Sequence, residues 1–360
     1  MELSFILVCM FAFLFFNFVI VAHEWGHFIT ARKFGVRVKE FAVGMGPKIF
    51  KFKKGETIYS FRAFPVGGFC AMQGEDSLEA SSKDGETEDI IDPTRSLRNK
   101  PAWQKAIIML AGIFMNFIVG IIISIILTAF GGPIYSNVIS DLSDSYPESY
   151  SSGKFQSGDE IIAINKYKVH VSRDIKYAIR MSNSDECEID IIRNGQPLKI
   201  FTNLTIGASE GAKSIEINFV SVDKNLINVV NYAFNDVISI MRNSVNSLVM
   251  LLTGKLSMKN VSGPIGIASN VGEIASKNSY GDAIFCITNM MMVISIGLAV
   301  FNAIPFPALD GGRVLFLIPE IFTGKPVNAK IEMAVNALGL IFILGLTVLI
   351  AYSDIRSWGG

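Results

Sequence analysis

The sequence predicts a polytopic α-helical membrane protein with four transmembrane helices, a small β-region after the first, and one small strand-rich domain between the second and third. Three observations carry this. Half of the 360 residues are hydrophobic and the mean hydropathy is +0.42. Four apolar runs each approach the roughly 20 residues that cross a bilayer core. The stretch 132–223 is instead polar and strand-like. Lys plus Arg and Asp plus Glu both number 32, so there is no basic surplus to attract nucleic acid. The cysteines (Cys9, Cys70, Cys187, Cys286) show no C-x-x-C spacing and predict neither a disulfide framework nor a thiolate metal site.

The first span, within 1–34, runs uncharged from Leu3 to Ala22 and continues without a break into Val21-Ala22-His23-Glu24-Trp25-Gly26-His27. Met1-Glu2-Leu3-Ser4 is no basic leader, so the segment is expected to be retained as a helix rather than cleaved. His23 and His27 are four apart on one helix face with Glu24 beside the first. This His-Glu-x-x-His pattern suits two imidazoles holding Zn²⁺ with the Glu as general base. The alternative is a polar cluster that merely reaches the membrane surface. Ionisable groups at membrane depth are costly, which favours compensation by a metal. The only other histidine is His170, expected to be exposed and without function, so a third ligand is His170 or a carboxylate.

Arg37, Lys39, Lys48, Lys51, Lys53 and Lys54 follow and place that loop in the cytoplasm, hence the N-terminus outside. Region 35–104 alternates like short strands (36–39, 48–52, 58–61), either dipping towards the bilayer or forming a cytoplasmic hairpin. It ends in an acidic linker from Glu75 to Asp92. The second span lies within 105–131. Its Gly112 and Asn116, four apart, suggest close helix packing, or a contact with the site. Within 132–223, a turn leading into a strand is expected over 155–165, and strands at 188–193 and 198–201 around an Asn194-Gly195 turn, with a helix at 173–182. In 224–282, Leu226 to Leu252 reads as an amphipathic helix with a polar stripe at Asn228, Asn231, Asn235, Ser239, Arg242 and Asn246. The remainder of that segment reads as a connection. The third span falls within 283–312. Region 313–360 holds a short cytoplasmic loop, the fourth span and a tail.

The third span ends in Asn302-Ala303-Ile304-Pro305-Phe306-Pro307-Ala308-Leu309-Asp310-Gly311-Gly312-Arg313. Two prolines and two glycines should unwind the helix and let Asp310 turn inward. It would then complete a His₂Asp set with one open position, as a catalytic zinc requires. The alternative is that Asp310 caps a short helix starting near Val314.

The chain resembles the bacterial site-2 proteases, intramembrane zinc metalloproteases. The resemblance rests on His23-Glu24-Trp25-Gly26-His27, Gly44-Met45-Gly46-Pro47-Lys48, Pro65-Val66-Gly67-Gly68-Phe69, 99–106, Gly263-Pro264-Ile265-Gly266-Ile267 and 302–312. It implies four spans, a membrane-associated β-region and one PDZ-like α+β domain on the extracytoplasmic face. It implies Zn²⁺ held by His23, His27 and Asp310, with Glu24 as base and Asn116 and Asn302 lining the site and positioning substrate. It also implies a multi-pass protein of the bacterial plasma membrane, both termini outside, cutting single-span proteins such as anti-sigma factors or remnant signal peptides. Two positions depart from the pattern. Ala111-Gly112-Ile113 stands where the family usually has Ala-Gly-Pro, and the domain's lead-in, Ser145 to Phe155, is unusually polar. The latter favours a filter or scaffold role for the domain over peptide capture. Two other readings stay open at this stage: a catalytically silent PDZ-containing membrane scaffold, and an anchored protease working outside the membrane with Glu40 or Glu56 as third ligand.

Overall fold

The computed structural model describes residues 2–75, 92–140, 154–182, 186–203, 205–206, 213–214, 217–254 and 263–358. The acidic stretch 76–91 and the lead-in from 145 to 153 lie outside the described residues. In chain order the elements are α1 (Glu2–Lys33), β1 (Val38–Lys54), β2 (Thr57–Met72), α2 (Ala102–Phe130) and β3 (Ile134–Ile139). Then come β4 (Glu160–Ile164), β5 (Tyr167–Lys168), α3 (Ser172–Arg180), β6 (Glu186–Arg193), β7 (Gln196–Asn203), β8 (Thr205–Ile206), β9 (Lys213–Ser214) and β10 (Phe219–Val222). The chain ends in α4 (Leu226–Leu252), α5 (Pro264–Lys277), α6 (Tyr280–Asn302), α7 (Asp310–Thr323) and α8 (Ala329–Trp358). Two compact units result: Met1–Gly120 with Leu248–Gly360, and Ile121–Ser247.

Four helices are long and apolar enough to cross a membrane: Leu3–Lys33, Ala102–Phe130, Tyr280–Asn302 and Lys330–Arg356. Their outward residues are themselves apolar; on α8, Leu338, Ile341, Phe342 and Val348 are all exposed. Such a surface is stable only against lipid, so the protein is a multi-pass membrane protein. The predicted spans are found, two of them with polar starts that hydropathy alone does not mark. Helix α2 begins just after Pro101, whose carbonyl accepts from the Gln104 and Lys105 N–H groups. Helix α6 begins after Ser279, whose side chain accepts from Asp282 N.

In the first unit α1 packs on α5 and α6 through Val8, Ala12, Val271, Ile287 and Met291. Its other end meets α2 and the β-ribbon through Phe28, Ala31, Phe41, Cys70 and Ile108. The predicted short strands are two long ones with a folded register. Phe41 faces Cys70 on one side and Tyr59 on the other, and Tyr59 in turn faces Phe52. The ribbon therefore doubles back on itself at Gly44 and Gly67, both at positive φ.

Two expectations for this unit are corrected. The segment before the third span holds a helix, α5, with Pro264 at its first turn. Its start is capped from α8: Asp354 accepts the N–H groups of Gly263 at 3.3 Å and Gly266 at 2.8 Å. A cap from a residue so distant in sequence leaves no local signal. The short loop after the third span is largely helix α7, which begins at Asp310 itself rather than near Val314.

The second unit is a six-stranded sheet of order β10-β3-β4-β6-β7, with β5 beside β4. The predicted hairpin pairs Glu186 with Asn203 through Arg193 with Gln196. Ile139, Ile161, Ile164, Ile189, Ile191 and Phe155 form a core closed by Ile175 and Ile179 of α3. Helix α4 is amphipathic as predicted, but its buried side is mixed. Asp236 and Ser239 are buried because Arg173 (2.6 Å) and Asp174 (2.5 Å) of α3 satisfy them.

Asp159, 1 % exposed, carries a bidentate Arg193 at 2.7 Å and accepts the Gln156 N–H at 2.8 Å. Burial pushes its carboxyl up, but Arg193 and the backbone N–H outweigh this and hold it below the usual carboxylate range. With the folded value depressed, this contribution is complete above the unfolded value near ~3.9 and fades as pH falls through the folded one. We expect the protection of β4 and β6 amides in the full-length protein, taken relative to their intrinsic exchange rates, to fall on acidification below about pH 4. In Arg193→Ala that protection should already be lower at neutral pH and respond less to acid.

Candidate metal centre

Helix α1 stacks His23 and His27 one turn apart, with ring centroids 4.8 Å apart and planes at 85°. After α6 the chain breaks at Pro305 and Pro307, and Ala308 takes a left-handed φ of 74°, its N–H held by Asn336 Oδ1 at 3.1 Å. A β-carbon at Gly311 or Gly312 would strike the Ala303, Ile304 and Phe306 carbonyls. These two glycines let α7 start hard against that turn, which aims Asp310 at α1. Asp310 Oδ2 lies 3.1 Å from His23 Nε2 and 3.3 Å from His27 Nε2, and the two Nε2 atoms are 3.2 Å apart.

These three atoms form a nearly equilateral triangle. Tetrahedral zinc, with bonds of about 2.0–2.1 Å, separates its ligand atoms by about 3.3–3.4 Å. Oδ2 is buried and, the two imidazoles aside, has no hydrogen-bond partner among the described residues, as expected of a lone pair meant for a cation. On the far side of His27, Nδ1 is 2.8 Å from the Ile108 carbonyl. A carbonyl can only accept, so Nδ1 carries the proton and Nε2 offers its lone pair to the triangle. The donor set fits zinc.

Close packing of α1 on α2 makes this possible. A β-carbon at Gly26 would meet the Ala111 carbonyl, and one at Gly112 would meet the rings of His27 and His23. Ile113 lies within α2, at the position where the resembled pattern usually has proline. Glu24, half-buried, follows His23 with its Cγ 3.8 Å from where a β-carbon on Gly68 of β2 would stand. Asn116 is fully buried, its carboxamide 3.3 Å from His23 Nδ1. That puts it behind the His23 ring, on the side of Nδ1, whereas Asn302, half-buried, is the last residue of α6.

The other carboxylates considered as ligands are committed elsewhere. Glu40 binds Ser60 (2.5 Å), Arg62 (2.7 Å) and Lys48 (3.3 Å), and Glu56 binds Arg95. His170 is exposed; it lines a surface cavity of about 600 Å³ with Glu160, Lys166, Lys168 and Asp190, which includes no residue of the triangle. Sequence reasoning missed the Ile108 carbonyl, because every residue has one. It also missed two ion pairs that fix α7: Arg313 with Glu75, and Lys105 with Glu320 at 2.8 and 3.0 Å. Lys105 and Glu320 side chains are 8 % and 13 % exposed. We expect Lys105→Met to cost about 3–5 kcal/mol, because it strands a buried charge. The double variant Lys105→Met/Glu320→Leu should regain most of that in thermal unfolding.

Two imidazoles, one carboxylate and an adjacent free Glu, set among bilayer-length helices, are the equipment of a membrane-bound metallopeptidase. The comparisons agree: the model of peptidase family M50 matches residues 11–346. A Clostridium perfringens protein bearing the name "Putative zinc metalloprotease CPE1693" is 34 % identical over 347 residues, covering 96 % of this chain and 97 % of its own. The regulator of sigma-W protease RasP of Bacillus subtilis is 28 % identical over 413 aligned positions, 95 % and 96 % of the two chains. The chain belongs to peptidase family M50, the site-2 protease family. It is a zinc metalloendopeptidase.

Proposed function

We propose that the protein hydrolyses peptide bonds within the transmembrane segments of single-span membrane proteins. The observation that carries this is the triangle of His23 Nε2, His27 Nε2 and Asp310 Oδ2 amid apolar helices. In this reading those three residues hold zinc. When bound, zinc polarises the scissile carbonyl and acidifies the attacking water. The Glu24 carboxylate accepts a proton from that water and delivers it to the departing amide nitrogen. Asn302, at the unwound end of α6, orients the substrate backbone. The burial of His23 and His27, 7 % and 6 % exposed, keeps bulk water from the reacting groups.

The basic residues after α1 argue for the site lying towards the cytoplasm, with both termini and the strand-rich unit outside. The strands and helix of that unit suit a PDZ-like domain acting as a filter or scaffold. Anti-sigma factors and remnant signal peptides are the substrate classes that the resemblance suggests. The RasP relative, whose name ties it to sigma-W, favours the former. A silent scaffold is disfavoured because three protein donors leave one position open, whereas structural zinc sites close with four.

A helical amide is tied into its own hydrogen-bond ladder and must be unwound before attack. Co-expressed single-span substrates carrying Pro or Gly at mid-span should therefore be cut faster than poly-Leu spans of equal length. Equal rates would remove the unwinding step from the mechanism, and survival of both would favour the scaffold.

A further inference from the structure

We propose that Asn116 is a positioning residue for His23: its side-chain carbonyl accepts the His23 Nδ1–H and so leaves Nε2 free to face Asp310. This rests on the reading that His23, His27 and Asp310 hold zinc. Asn116 has no exposed surface. Its Nδ2 stands 3.3 Å from His23 Nδ1, while its Oδ1 is buried without a partner among the described residues. In that orientation the amide N–H would donate to Nδ1, and the His23 proton would sit on Nε2. Nε2 would then point an N–H, not a lone pair, at a cation site.

The two ends of a carboxamide are told apart by their hydrogen bonds, and here chemistry decides. Turning the amide by half a revolution gives Oδ1 its missing donor and Nδ1 its acceptor. His23 then matches His27, whose Nδ1 faces the Ile108 carbonyl. The turn of α2 that carries Asn116 is itself pinned. Its backbone carbonyl accepts from Ser295 Oγ of α6 at 3.0 Å, with Ser295 also fully buried. Metal-bound histidines generally use an acceptor on the far nitrogen to fix tautomer and ring orientation. Asn116 fills that place, and its burial separates its role from that of Asn302.

The test uses full-length protein: wild type, Asn116→Asp, Asn116→Leu and Asp310→Asn. Zinc affinity is measured by chelator competition, the Co²⁺ form by visible absorption, and the thermal midpoint on zinc-free protein. Aspartate keeps the acceptor and cannot donate; leucine offers neither. We expect Asn116→Leu to weaken zinc binding by about 10–100-fold and to alter the Co²⁺ spectrum, with an unchanged zinc-free midpoint. Asn116→Asp should bind zinc within a few-fold of wild type. Wild-type affinity in Asn116→Leu, or a loss in Asn116→Asp equal to that in Asn116→Leu, would overturn the proposal. If Asn116→Leu does not fold, Asn116→Asp decides alone: retention supports the proposal and loss defeats it. Zinc in wild type but not in Asp310→Asn establishes the triad independently. A wild type that binds no zinc would sink the triad reading and this one with it.

Discussion

Glu24→Gln should abolish measurable cleavage of a single-span substrate while the purified protein keeps its zinc. Glutamine preserves the shape and polarity of the side chain on α1 but cannot take a proton. A positioned general base contributes about 10²–10⁴-fold to rate, and that whole factor is at stake. The zinc is unaffected because Glu24 is not among the three atoms that meet. Glu24→Asp retains a base one methylene shorter and should recover part of the rate. The combination to look for is full zinc content with no cleavage. Wild-type cleavage by Glu24→Gln would assign the base elsewhere.

Asp310→Asn should lose the metal itself. In the proposed reading the substitution removes the negatively charged donor of the triangle and places a donor-bearing amide against two imidazole lone pairs. Outer-shell changes already cost about 10–100-fold in metal affinity, so loss of a ligand should exceed about 100-fold. Cleavage should fall in parallel and return only in part with excess zinc. Gly112→Leu is the steric counterpart. Its side chain would enter the space of the His23 and His27 rings, so zinc should be lost although no ligand is altered. An Asp310→Asn protein that retains zinc at wild-type affinity would point to a different third ligand.

How much of this could be read from the chain depends on how local each signal is. The four spans are legible because hydropathy is summed along the sequence, and the first turns of α2 and α6 lie outside the predicted limits. The His23–His27 pairing is legible because an i,i+4 spacing puts two side chains on one helix face. Asp310 was reachable because Pro305, Pro307, Gly311 and Gly312 announce a break in an apolar helix. Helix α5 was missed because its start is capped by Asp354, far along the chain. The folding of the β-ribbon was missed because its register pairs Phe41 with two different segments at once.

The sequence by itself therefore determined the membrane class and brought forward the candidate donors and the carboxylate beside them, all matters of spacing, composition and side-chain chemistry. Only the tertiary structure decided what stands behind the histidines. The acceptor facing His27 lies 81 positions away and the carboxamide facing His23 lies 93 positions away. Both are brought there by α1 and α2 packing closely at Gly26 and Gly112. That approach depends on two whole helices meeting, and no local pattern encodes it.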